Sequence, residues 1–415
     1  MPIACSSPVA LQPYASGIIA DRVSVSFSPD SDVSSIFDFD AKLTALPIAL
    51  QQMGATYTRA SVKNVVQDGA LVQLASGQFG TSYDSVTGKY GYVPEPAATN
   101  LATYSDGGVS AYTNRGNVSD GTAVPGFTNG IAFGSNSVDR YAYKPITTTA
   151  GTAYTISVFV IMDDGGAPNV GTSQSSGDFS LVVDAFPITN AADLKTQLIG
   201  NGVYRVSGSI GSVVGGVSRN CGVVKYSTQS NRTFRFTGCQ VETGSRSTSY
   251  IATAGSTATR SADVLSVPVA NIPGFNSAAY TLFADFRMDT TAAVSGGIVW
   301  LGDVGATNFA SLTLNSGGNG CTQINSGGAN YQFLNSDAAS VNRRKNSLSA
   351  TTNNALAAFS GVGQTADTSV TMPLIPTVVY VGNGSSGGAC LNGYIFRAGI
   401  IPQALSQAQI NGLTA

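Results

Sequence analysis

The sequence predicts an all-β protein, an N-terminal arm followed by two antiparallel β-sandwich, jelly-roll-like domains. Three observations predict it. Long helix-favouring side chains are scarce: Glu occurs only at Glu95 and Glu242, and Lys seven times, although these residues lose little rotamer freedom in a helix. Thr, Val, Tyr and Phe, which suit a pleated and half-buried surface, take their place. Finally, apolar and polar residues alternate in short runs separated by Gly, Asn and Asp turns.

The arm covers residues 1–54. Its stretch 21–27 alternates as a half-buried strand does, and 41–53 is weakly helical, with Pro47 set to kink or split it before Gly54. Asp30, Asp32, Asp38 and Asp40 invite a calcium-loop reading. The EF-hand pattern needs Gly at its sixth position and Glu at its twelfth, where Ser35 and Ala41 stand, so a solvated turn is expected. Residues 55–104 form a small β linker with hairpins. Asp68-Gly69 separates the runs 63–67 and 70–74, and Gly88 closes the turn 83–88.

Residues 105–265 hold seven to nine short strands, among them 154–162, 179–184, 203–210 and 233–241. Residues 266–415 start a second series with 279–288, 297–302, 310–314, 377–382 and 391–399, and Pro402 suits the first turn of a terminal helix.

Two resemblances attach to these segments. Tyr57-Thr58-Arg59-Ala60-Ser61, Asp68-Gly69-Ala70-Leu71, Tyr83-Asp84-Ser85-Val86-Thr87-Gly88, Glu95 and Thr99-Asn100-Leu101 resemble, in order and spacing, a stretch of bacteriophage tail-fibre and head-spike proteins. Ser85 stands where that stretch usually has Pro, and Gly80 lies near where an Arg is common. Gln240 to Ser245, Thr248-Ser249-Tyr250-Ile251 and Thr259-Arg260-Ser261-Ala262-Asp263 resemble the end of the same module, which implies a carbohydrate-binding jelly roll at 105–265. Both glutamates fall inside these motifs, where buried or hydrogen-bonded structural carboxylates explain them without catalysis. The run Leu391-Asn392-Gly393-Tyr394-Ile395, followed by Pro402, Leu405, Ser406 and Gln409, resembles the end of laminin-G or concanavalin-like sandwiches and implies that fold for 266–415.

Composition narrows the chemistry. With no histidine among 415 residues, Ser-His-Asp and Cys-His nucleophile systems and imidazole-ligated zinc sites are excluded. Charged residues make up 11% and the net charge is −2, with no basic tract beyond Arg343-Arg344-Lys345. Such a chain lacks the phosphate-neutralising surface of a nucleic-acid binder. The N-terminus lacks a signal-peptide pattern, and no apolar run reaches membrane-spanning length, so no membrane insertion is expected. No cofactor and no metal ligand set is expected. The five cysteines contain no CxxC pair. Either all are free and buried, or Cys221 and Cys239 face each other across a hairpin as a disulfide.

Glycosidase chemistry needs only two carboxylates. Asp163-Asp164 are adjacent but would point to opposite faces of a strand, while Asp38 and Asp40 would share one. A solvated role is expected for both pairs, and no catalytic residue is assigned. Gly382-Asn383-Gly384-Ser385-Ser386-Gly387 matches GxGxxG, but a strand follows rather than the helix that a dinucleotide site requires, so it reads as a turn. Glycan binding needs aromatic faces beside planar polar groups. The candidates are Trp300, Tyr331 and Phe333 in the last domain and Tyr141 and Tyr143 in the middle one, with Tyr104 and Tyr112 as further possibilities; for Trp300 core packing is the competing reading.

The functional expectation that follows is a structural virion protein of a tailed phage. It would be a fibre or spike adhesin at the virion surface that binds host cell-surface polysaccharide non-covalently. The resemblance implies a homotrimer whose arm docks on a baseplate, tail or capsid protein. A capsid decoration or head spike without a receptor role and a glycan-cleaving tailspike are the alternatives.

Overall fold

The computed structural model describes residues 35–289, 296–303, 308–315, 317–326, 329–334, 340–372, 375–384 and 390–415. The chain is all-β: 47% of the described residues lie in strands and 6% in helices. Among the described residues no helix is long and apolar enough to cross a membrane, which says nothing of a β-barrel. The expected strand at 21–27, together with Asp30, Asp32 and Cys5, lies outside the described residues.

The middle sandwich packs a six-stranded sheet on a five-stranded one. In the first, Tyr154–Met162 lies between Val203–Ile210 and Phe234–Thr243. In the second, Arg140–Thr148 pairs with Gly216–Lys225. The nearly unbroken apolar run of Tyr154–Met162 reflects burial of both its faces. Ile156, Val158 and Val160 point into the sandwich core. Phe159 on the other face packs with Phe127 and Tyr250 in a second cluster.

The last sandwich opposes a six-stranded and a seven-stranded sheet. Ala279–Met288 sits between Arg343–Thr351 and Gly393–Ile401. Gly296–Gly302 sits between Phe309–Leu314 and Val378–Val381. Both ends of the described chain build this sandwich. Ser35–Asp38 pairs with Gly393–Ile401, and Thr56–Thr58 pairs with Val264–Pro268. The chain leaves after Thr58, forms the hairpins and the middle sandwich, and returns at Val264. At that crossing Ala98–Asn100 pairs with Ala258–Arg260. The described part of the expected arm is therefore a strand and a short helix of the last sandwich, with Phe37, Phe39 and Leu50 in its core. A strand edge needs its ladder hydrogen bonds met, and residues distant in sequence supply them here.

Two local expectations change, and the cysteine alternatives are decided. The stretch 41–53 is helical only at Ile48–Gln52, after Pro47 as its N-cap residue, because proline is tolerated at a helix start and not inside one. The terminal helix is Gln407–Thr414 rather than a helix begun at Pro402. Ser406 and Gln409 form a reciprocal capping box that sets its start. Cys221 and Cys239 are free thiols, not a disulfide. The chain between them crosses from the five-stranded to the six-stranded sheet, so they enter the core from opposite layers instead of facing across a hairpin.

Candidate functional site

Several of the residues that carry the phage-fibre resemblance, Tyr57, Arg59, Glu95, Ser249, Arg260 and Asp263, come together as one buried polar hub. Tyr57 donates its hydroxyl to Asp263 at 2.6 Å, and Arg59 lies 3.5 Å from the same carboxylate. Lys63 bridges Asp263 and Glu95, the latter at 3.1 Å. Arg260 stands 3.6 Å from Glu95, and the Ser249 amide donates to Glu95 at 2.5 Å. Burial pushes the Glu95 carboxyl up, but Arg260, Lys63 and Ser249 outweigh it and hold the group well below the usual carboxylate range. Glu242 is the opposite case. It accepts hydrogen bonds from Thr248 and Gln240 but, among the described residues, has no cation within 4 Å, and burial raises its pKa against the weaker pull of these bonds and of Arg205. Asn100 bonds Ile251, Ala102 and Val241. Both glutamates are thus buried, hydrogen-bonded parts of the junction between the modules.

The hairpins make this junction close. Asp68 and Gly69 both have positive φ, 51° and 72°, as the expected two-residue turn requires. Gly69 also meets Gly200 of the middle sandwich, where a Cβ on Gly200 would stand 2.2 Å from the Gly69 carbonyl oxygen.

The aromatic candidates divide. Trp300 is 4% exposed, stacked on Phe309 and tilted against Tyr380 at centroid distances of 5.9 and 5.7 Å. It offers no free indole face, so its assignment to a glycan site is corrected to packing. Tyr112 is likewise fully buried, against Phe236. Tyr331 and Phe333 lie on the strand Ala329–Leu334, paired with Ile324 and Thr322; their side chains lie outside what is described.

Tyr141 and Tyr143 are brought together on the outward face of the five-stranded sheet. Their rings stack at 5.2 Å with 17° between planes. Ala142, Lys144 and Ile146, which alternate with them, point inward. The Tyr141 ring lies over Gly116, where any Cβ would stand 2.6 Å from it. Asn114, opposite Tyr143, donates its side-chain amide to Asn220 at 3.1 Å. Burial, with Tyr226 and Tyr141 beside it, pushes the Tyr143 phenol above its ordinary range. The face therefore joins a half-exposed aromatic ladder to two planar amides.

Each carboxylate weighed for glycosidase chemistry is engaged. Arg232 forks onto Asp164 at 2.6 and 2.8 Å, which with the Gly166 amide lowers that carboxyl to about 2. Asp163 pairs with Arg235 at 3.2 Å, Asp40 pairs with Lys89, and Asp38 accepts from the Asp40 amide. Among the described residues no cluster of three or more metal-ligating side chains occurs. Gly382 to Gly384 follow a strand and Asn383 bridges Cys390 in antiparallel fashion; Ser385 to Gly387 lie outside the described residues.

A cavity of about 390 Å³ opens where the hairpin module and the two sandwiches meet. Lys63, Lys195, Arg205 and Arg287 line it, against Asp84, Glu95 and Asp289. Gln197 donates to the Tyr394 hydroxyl at 3.1 Å across its wall.

No protein-family model and no curated protein matches the sequence. Solved structures do show likeness. The NanB sialidase of Streptococcus pneumoniae has 14% identity and a TM-score of 0.30, covering 35% of this chain and 26% of its own, so this chain spans about a quarter of that protein. The CBM40 of the Ruminococcus gnavus IT-sialidase has 14% identity and a TM-score of 0.28, over 33% of this chain and 83% of the module. Domain 4 of AbnA, a GH43 arabinanase of Geobacillus stearothermophilus solved with arabinotriose, has 15% identity and a TM-score of 0.31, over 37% and 73%. The structural neighbours thus include carbohydrate-binding modules with all-β sandwich folds.

Sequence reasoning passed over Asn114, Asn220 and the cations Lys195 and Arg205. Register signals the amides in part: once Tyr141 and Tyr143 are placed outward, the strand partners of Tyr143 and Pro145 share their face. Nothing local marks the cations, because their neighbours in the cavity come largely from residues 63–95, 247–250 and 287–394.

Proposed function

We propose that the protein is a non-covalent glycan-binding fibre or spike subunit at the surface of a tailed-phage virion. The stacked Tyr141–Tyr143 pair beside Asn114 and Asn220 is the observation that carries the binding role. Aromatic surface covers the C–H face of a sugar and the amides meet its hydroxyls. The phage-fibre motifs support the virion assignment, and homotrimeric assembly follows from that resemblance. Attachment to a baseplate, tail or capsid protein is assigned to the residues ahead of Ser35. Many copies of a shallow site give strong adhesion from weak single contacts.

The test is competition. Purified protein added to host cells is expected to block adsorption of the phage that carries it. Undiminished adsorption, with the protein co-purifying with empty heads, would instead favour capsid decoration.

A further inference from the structure

We propose that the cavity between the hairpin module and the two sandwiches binds a sugar-sized ligand through an oxyanion, held by Lys195 and Arg205. It rests on the glycan-binding reading only in taking the ligand to be a sugar.

The charge arrangement supports this. All three carboxylates of the cavity already have cationic partners. Asp84 takes Arg287 at 2.7 and 2.8 Å, and Asp289 takes the same guanidinium at 2.7 Å. Glu95 is held by Lys63 and Arg260. Lys195 and Arg205 make no direct ion pair: among the described residues no carboxylate lies within 4 Å of either, and Asp289 acts on Lys195, and Glu242 and Glu95 on Arg205, only from farther away. Arg205 donates one hydrogen bond, to Ser157 at 2.8 Å, and rests on the Phe159 ring. Its Nε is buried with no acceptor. Both groups are half-buried and face the same space. Burial lowers the pKa of Lys195, and Arg287, Arg246 and Arg205 add to the effect against the opposing pull of Asp289.

A guanidinium with an idle donor beside an ammonium that no carboxylate touches is a receptor for an oxyanion, since charge-assisted hydrogen bonds to carboxylate or phosphate are the strong ones. Ser249, Thr248 and Gln197 on the walls offer hydrogen bonds to hydroxyls. The volume stands at the small end of the ~300–1,000 Å³ range of ligand pockets, which suits a mono- or disaccharide. Its walls come from three modules, so an occupant would bridge all three.

Titration calorimetry of the full chain with glucuronate, glucose 6-phosphate and glucose tests this. At least one of the two charged sugars is expected to bind, while glucose does not. Binding of glucuronate alone names a carboxylate, and of glucose 6-phosphate alone a phosphate. Lys195→Gln and Arg205→Gln are each expected to weaken binding at least ~10-fold, with folding checked by the melting midpoint. Lys195, on a half-exposed strand, keeps the test valid if the Arg205 variant unfolds. Failure of both charged sugars to bind at ~10 mM, equal binding of glucose, or unchanged affinity in Lys195→Gln overturns the proposal. A Tyr141→Ala/Tyr143→Ala protein is expected to bind the charged sugar as the native chain does, which separates this site from the aromatic face.

Discussion

Asp84, at the end of a strand in the hairpin module, receives both Nε and Nη2 of Arg287 from the last sandwich, at 2.7 and 2.8 Å, with both side chains buried. The pair couples residues 203 positions apart. Asp84 also caps its own turn, accepting from the Val86 amide and the Thr87 hydroxyl. One carboxylate therefore fixes the hairpin and docks it.

Asp84→Asn should destabilise the protein by ~3 kcal/mol, because removing one partner of a buried pair strands the other charge. Asp289 still partners Arg287, which keeps the loss at the lower end. A melting midpoint within a degree of the native value would contradict the role given to this pair.

The two glutamates should respond to acid with opposite signs. The Glu95 pKa is lowered in the folded state. Its stabilisation is therefore complete above the ordinary glutamate pKa of about 4.5 and is lost as pH falls below it. The Glu242 pKa is raised, so its ionisation in the unfolded chain costs stability as pH climbs past that same value. Urea midpoints between pH 3 and 7 should fall toward acid in the native protein and fall less steeply in Glu95→Gln. Identical slopes would remove Glu95 from the explanation.

Trp300→Ala should cost ~3–5 kcal/mol, as expected for emptying a packed aromatic site, and leave polysaccharide binding unchanged. Loss of binding at unchanged stability would restore Trp300 to a glycan site.

Cys221 and Cys239 should resist alkylation in the native state. Burial raises the thiol of Cys221 to about 12 and that of Cys239 to about 11, so little thiolate exists at pH 8. Peptide mapping after iodoacetamide should find both modified only in denaturant, and non-reducing digestion should find no peptide joining them.

Much of the strand layout is legible in the sequence. Tyr154–Met162, Val203–Ile210 and Ala279–Met288 run as their alternation or apolar content predicts. Turns with Asp-Gly and Gly signals form where expected because they answer to local backbone geometry. What stayed hidden is non-local. Ser35–Asp38 has a partner more than 350 residues away, and no periodicity states which edge a strand completes. Trp300 stays undecided in the sequence between core and glycan site for a related reason: what covers it, Phe309 and Tyr380, comes from neighbouring strands. Tyr141 and Tyr143 come to one half-exposed face because they alternate with the buried Ala142 and Lys144 on a single strand.

The most direct measurement is co-sedimentation of the purified chain with a panel of bacterial envelope polysaccharides, with reducing ends assayed in the same tubes. At least one polysaccharide should bring down the native protein with no rise in reducing ends. Tyr141→Ala/Tyr143→Ala should bind it at least ~10-fold less, while its melting midpoint falls by no more than ~5 °C. Equal binding by that variant, or steady release of reducing ends by the native chain, would contradict non-covalent adhesion through the Tyr141–Tyr143 face.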